Sequence, residues 1–129
     1  MEASSYLVEA VLTRYQADLA GVSDIHHVRS VMIANKHTYR YVFIPPAAAA
    51  RPYLLFLHGW PSSSFDWRFQ IEYFSQRGYG IIAPDLLGDG GSSKPDDLNS
   101  YRYKNMAADM AAVLDCEGIS SVHAISHDL

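Results

Sequence analysis

Only one cysteine, Cys116, occurs in the 129 residues, so neither a disulfide framework nor a cysteine-rich metal site can be built from them. Without a partner motif, Cys116 is expected to be a packed or half-buried helix residue. Positive charge is scarce too. Ten Lys and Arg stand against fourteen Asp and Glu, a net charge of −4. That balance argues against nucleic acid, whose phosphates need clustered basic residues. No apolar run approaches the ~18 residues that cross a bilayer. The opening Met1-Glu2-Ala3-Ser4-Ser5 lacks the basic region and apolar run of a signal peptide. A cytoplasmic protein without membrane contact is the expectation. What is there, 49% apolar and 19% charged residues, is the composition of a globular domain or part of one.

Leu7, Val8, Val11, Leu12, Tyr15 and Leu19 form a helical stripe, with Ser4 or Ser5 as N-cap and Gly21 as stop, so residues 1–20 are expected to be an amphipathic helix. Residues 26–34 and 38–44 are rich in β-branched positions around a turn at Asn35-Lys36 and predict an antiparallel hairpin. The prolines in Pro45-Pro46 and Pro52 make the next stretch a loop. Beyond it the pattern changes to continuous apolar runs at 53–57, 79–84 and 121–126, the mark of strands covered on both faces. Helical stretches at 65–77 and 101–117, stopped by Gly78 and Gly118, separate them. Strand, helix, strand, helix, strand predicts an α/β fold with a mostly parallel sheet. No internal repeat is present.

Three motifs follow those runs. His58-Gly59-Trp60-Pro61 comes directly after the first. Its Gly permits close backbone approach, and its Pro directs the chain so that the Trp60 amide could serve half of an oxyanion hole. A plain strand-to-helix turn would use the same residues. The glycine-rich stretch from Asp85 to Pro95 lacks the G-x-x-x-x-G-K-[ST] spacing of a phosphate loop. Asp85 is expected to bond the amides of the turn that follows it. Ser126-His127-Asp128-Leu129 follows the third run. A nucleophile elbow needs small residues two positions either side of the nucleophile. Centring on Ser126 puts Asp128 in the second small place; centring on Asp128 puts Ser126 in the first, which makes Asp128 the better candidate. Taken in isolation, Asp128 could equally be a solvated carboxylate. His123 and His127 are four apart, a metal spacing on a helix but not on a strand, so no metal is expected.

Together and in this order, the three motifs closely resemble the epoxide hydrolase branch of the α/β-hydrolases, from about Ile25 to Leu129. The resemblance implies a sheet of strand order 1-2-4-3-5 with the first two strands as an antiparallel edge. It implies that Asp128 attacks an epoxide carbon to form an alkyl-enzyme ester, later hydrolysed by water that a His–carboxylate pair activates. The amides of Trp60 and Leu129 would hold the oxyanion, with His58, Gly59 and Pro61 shaping that turn. Two tyrosines of a helical cap would protonate the opening ring. Asp89 stands where the family commonly has an aromatic residue, and Ser126 where Gly is usual. The sister haloalkane dehalogenases usually place a halide-binding Trp where this chain has Leu129.

By the same resemblance, residues 21–129 are a partial core domain, without the cap and the half that carries base and acid. The expected partner is a small-molecule epoxide, and no cofactor is called for. The chain by itself is expected to be inactive. Two alternatives stand beside the enzyme: a non-catalytic protein that self-associates through an exposed edge strand, and a fragment with no independent function.

Overall fold

The computed structural model describes residues 27–48 and 51–128. The helix expected in residues 1–20 lies outside them. Strands β1 (Val28–Met32) and β2 (Thr38–Ile44) form the antiparallel hairpin, with Val28 opposite Val42 and Met32 opposite Thr38. Its turn falls where the sequence places it. Lys36 N–H donates to the Ile33 carbonyl at 2.9 Å, and Lys36 itself adopts the left-handed region at φ 66°. Asn35 Oδ1 accepts the His37 N–H at 2.9 Å, a local bond that favours a turn over a continuing strand.

The chain then alternates as β3 (Tyr53–Leu57), α1 (Arg68–Ser75), β4 (Gly80–Pro84), α2 (Tyr103–Cys116) and β5 (His123–Ser126). One five-stranded sheet results, of order β1-β2-β4-β3-β5, as the family resemblance implied. The β1–β2 and β2–β4 pairs are antiparallel, and β3 runs parallel to both β4 and β5. No helix among the described residues is long and apolar enough to cross a membrane.

Both helices are shorter than the sequence pattern suggests, and capping explains why. The stretch after β3 opens as a tight 3₁₀ turn, Ser64–Trp67, because the Ser63 side chain accepts the Phe65 N–H. Regular helix starts only at Arg68, and the chain reverses at Gly78, φ 85°. Before α2, Asp97 caps a second 3₁₀ turn, Leu98–Tyr101, and the extended Arg102 separates it from the helix.

Period-two alternation along the strands divides the interior into two layers. Tyr41, Phe43, Leu55 and Ile82 pack with Met110 and Val113 of α2 on one face of the sheet. Val42, Leu54, Phe56, Ile81 and Ala83 pack with Trp67 and Ile71 on the face of α1. The central β4 is buried at all five residues, as its apolar run predicts. The third run departs from expectation. All four residues of β5 are exposed, because among the described residues it pairs only with β3 and forms the sheet edge.

Polar clamps bind α2 to the hairpin. The buried Asp109 accepts hydrogen bonds from Tyr39 Oη (2.6 Å) and Asn35 Nδ2 (2.7 Å), and faces His37 Nδ1 at 3.1 Å. At the far end of the helix, Glu117 takes the Arg29 guanidinium at 2.7 Å and the Tyr41 hydroxyl. Asp109, Met110 and Val113 form the inward stripe of α2. Cys116 lies on its flank at the helix end and is exposed, not packed.

Burial, aided by the hydrogen bond each makes to its carboxylate, raises the Tyr39 and Tyr41 hydroxyls well above the ordinary tyrosine range. A raised pKa means that the folded state holds the proton more tightly than the unfolded one. The stability this supplies is complete below the unfolded value, about 10, and is lost as pH rises beyond it. Urea midpoints should therefore fall steeply above about pH 10. The Tyr39→Phe variant should fall less steeply; an equal slope would contradict the clamp.

Candidate active site

Parallel strands deliver their carboxyl ends to one rim of the sheet, and the three motifs meet there. Leu57 ends β3, Pro84 ends β4 and Ser126 ends β5. Because the chain passes from β3 to β4 on one side and returns to β5 on the other, the rim at β3 and β5 is a topological switch point, where open α/β sheets bind ligands.

His58 is fully buried and bridges two of the loops. The Leu86 N–H donates to its Nε2 at 2.9 Å, which leaves the ring proton on Nδ1, 2.7 Å from the Gly59 carbonyl. Both ring nitrogens are therefore engaged by backbone. His58 holds the turn after β3 against the loop after β4, and neither nitrogen is free to take a proton from a substrate.

Asp85 does the same work from the other strand, and reaches further than the sequence suggests. Its Oδ2 accepts the Gly91 N–H at 3.0 Å, within the loop that follows it. Its Oδ1 accepts the Ser64 N–H at 2.9 Å, across the sheet rim at the start of the helical segment after β3. Ser92 Oγ closes the loop on the Asp85 carbonyl at 2.6 Å. Gly90 is required beneath it: a β-carbon there would lie 2.3 Å from Asp85 Oδ2. Asp89, on the same loop, is half buried. Burial raises its carboxyl above the usual value, and the neighbouring Asp85 charge adds to the effect.

The third motif turns against the first. After Ser126 pairs with Leu57, the His127 N–H still reaches the Leu57 carbonyl at 3.4 Å. Asp128 then adopts φ 55°, the left-handed region that a sharp strand-to-helix elbow needs and that non-glycine residues seldom take. Its side chain lies on the bare face of Gly59. A β-carbon at Gly59 would sit 2.7 Å from Asp128 Cβ and 2.9 Å from its Oδ2, so only glycine leaves room for the carboxylate. Trp60 and Pro61, joined by a cis peptide bond, are exposed beside this contact, with Trp60 76% accessible. Leu129 lies outside the described residues.

The family described as alpha/beta hydrolase fold matches residues 52–129. The chain belongs to the alpha/beta hydrolase fold family. Its curated relatives include epoxide hydrolase 2 of Siraitia grosvenorii, 40% identical over 77 residues that cover 60% of this chain and 24% of that protein. Bifunctional epoxide hydrolase 2 of Mus musculus is 33% identical over 101 residues, 73% of this chain and 18% of its own. Among solved structures, epoxide hydrolase A from Mycobacterium thermoresistibile superposes with a TM-score of 0.70 at 34% identity. That match covers 78% of this chain and 31% of the solved one. The resemblance to the epoxide hydrolase branch is thereby borne out. The chain spans about a quarter of the length of the curated relatives it matches.

Within this α/β-hydrolase chain, two contributors to the rim have no local sequence signal. Ser64 supplies an amide to Asp85 from 21 positions away, and Trp67 meets the His127 ring edge-on at a centroid distance of 6.0 Å. Only the run Ser62-Ser63-Ser64 before Phe65 hints at a capping site.

Filling the Gly59 face should displace the elbow. Gly59→Ala is expected to cost about 1–3 kcal/mol of stability by overpacking and to move the Asp128 amide resonance. Urea titration and two-dimensional NMR check both; an unmoved Asp128 signal would refute the contact.

Proposed function

We propose that these residues supply the nucleophile and oxyanion half of an epoxide hydrolase. An Asp128 carboxylate oxygen attacks an epoxide carbon, forming a carbon–oxygen bond while the ring carbon–oxygen bond breaks. The resulting alkoxide takes a proton from an acid and leaves a hydroxyalkyl ester on Asp128. Water then adds to the ester carbonyl, and the amides of Trp60 and Leu129 hold the oxyanion before the diol departs. A carboxylate is a weak nucleophile, so such a reaction depends on positioning. The observation that carries this proposal is the left-handed Asp128 seated on the side-chain-free face of Gly59. The names of the relatives supply the substrate class. A cytoplasmic setting belongs to the same proposal.

Completing the cycle needs a base beside the ester. Among the described residues, the histidine–carboxylate pair His37–Asp109 belongs to the clamp between hairpin and α2, and not to the elbow. A polypeptide of these 129 residues should therefore release no diol over many turnovers when incubated with an aryl epoxide. Any covalent adduct seen by intact mass should map to Asp128 and vanish in Asp128→Asn. Steady diol formation, or an adduct that survives this substitution, would sink the proposal.

The exposure of all four β5 residues favours a second reading, self-association through that edge without catalysis. Light scattering after size exclusion should then show dimers or larger species that Ile125→Lys disperses. A clean monomer at high concentration rules it out.

A further inference from the structure

The elbow bears an uncommon backbone conformation at the most weakly supported place in the sheet. Asp128 has φ 55°, follows a strand exposed along its whole length, and is joined to β3 at its neck by one long hydrogen bond, His127 N–H to Leu57. Left-handed residues other than glycine persist where surrounding contacts hold them. Gly59 gives Asp128 room, but a residue without a side chain cannot grip it.

One side chain of the elbow, itself exposed, touches the edge of the core. The His127 ring meets the Trp67 indole at a centroid distance of 6.0 Å and an interplanar angle of 68°, an edge-to-face arrangement. Trp67 is a firm anchor. It is 8% exposed, stacks on Phe56 of β3 at 4.9 Å, and belongs to the core beneath α1. Its indole N–H is buried without a hydrogen-bond partner among the described residues. A core tryptophan seldom leaves its N–H unpaired. The indole sits between Phe56 of β3 and the His127 ring.

We propose that His127 is the positioning residue of the nucleophile. Its imidazole, seated edge-on against Trp67, fixes the backbone at the neck of the elbow, so that Asp128 is held left-handed over Gly59. Catalytic significance rests on the nucleophile role given to Asp128 above; the positioning itself is a matter of conformation. A neighbouring aromatic ring can fulfil the role, because the contact is one of shape. No proton transfer by His127 is involved.

NMR on the full 129-residue chain tests this directly. The one-bond Cα–Hα coupling of Asp128 reports the sign of φ, and the Trp67 Nε1–H resonance reports the ring contact. In His127→Ala the coupling should move to its negative-φ value and the indole resonance should shift, while core methyls of Ile71 and Ile81 stay in place. In His127→Phe the coupling should remain at the wild-type value. A residue that merely contributed stability would lower the melting temperature without moving the sign of φ at its neighbour. An unchanged coupling in a folded His127→Ala overturns the proposal, as does failure of phenylalanine to preserve it. If His127→Ala does not fold, His127→Gln replaces it, with loss of the coupling expected there and its retention fatal. An epoxide adduct that maps away from Asp128 would overturn the nucleophile assignment instead, so the two failures are distinguishable.

Discussion

The carboxyl rim of the sheet depends on one buried carboxylate. Asp85 leaves the end of β4 and accepts two amides, one from its own loop at Gly91 and one from Ser64 at the helix start after β3. A charged group with 1% exposure is tolerated only where hydrogen bonds replace its water, and here both oxygens are satisfied. The arrangement ties the 3₁₀ turn ahead of α1 to the end of β4. It also sets the path of the glycine loop, with Gly90 bare beneath the carboxylate. His58 repeats the linkage in the other direction, from the end of β3 to the Leu86 amide at the end of β4. Two buried polar side chains thus weld two loops before any substrate chemistry is considered.

The turn after β3 can then be rigid without a ligand. With both nitrogens of His58 engaged by backbone, the Gly59 carbonyl has a fixed direction, and the bare face of Gly59 is presented to the elbow. In the oxyanion role proposed for this turn, rigid donors would need no reorganisation when charge develops, which would give the polar weld beneath it chemical value. The proton on Nδ1 and the accepting Nε2 also remove His58 from candidacy as a base. A histidine beside an oxyanion turn invites that role, and the hydrogen bonds argue otherwise.

Much of this was legible in the chain because it is local. Apolar runs, their period, and stops such as Gly78 and Gly118 report backbone demands within a few residues, and they located the five strands and two α-helices of the described residues. The strand order was reachable only through the family that the three motifs resemble. Contacts between distant segments left no such trace. Nothing near Asp85 announces Ser64, nothing near Asp109 announces Tyr39, and nothing near His127 announces Trp67. The exposure of β5 is not legible in its apolar run for the same reason. An apolar run states what a strand is suited to, whereas exposure depends on which neighbours lie alongside it.

Support is therefore uneven across the rim. The turns after β3 and β4 are tied to each other and to the core by buried hydrogen bonds, while the elbow after β5 has a glycine surface, one long backbone bond and a ring contact. A nucleophile gains from being held a fraction of an ångström from its target, since misplacement by about 1 Å can cost 10²-fold in rate. On the roles proposed above, the turn after β3 is the better-held part, and the hold on Asp128 passes through its neighbour His127. With Asp128 as the proposed nucleophile, the limiting element would be the hold on the elbow rather than the chemistry of the carboxylate. Side chains that contact Trp67 consequently matter more to it than their distance from any substrate would suggest.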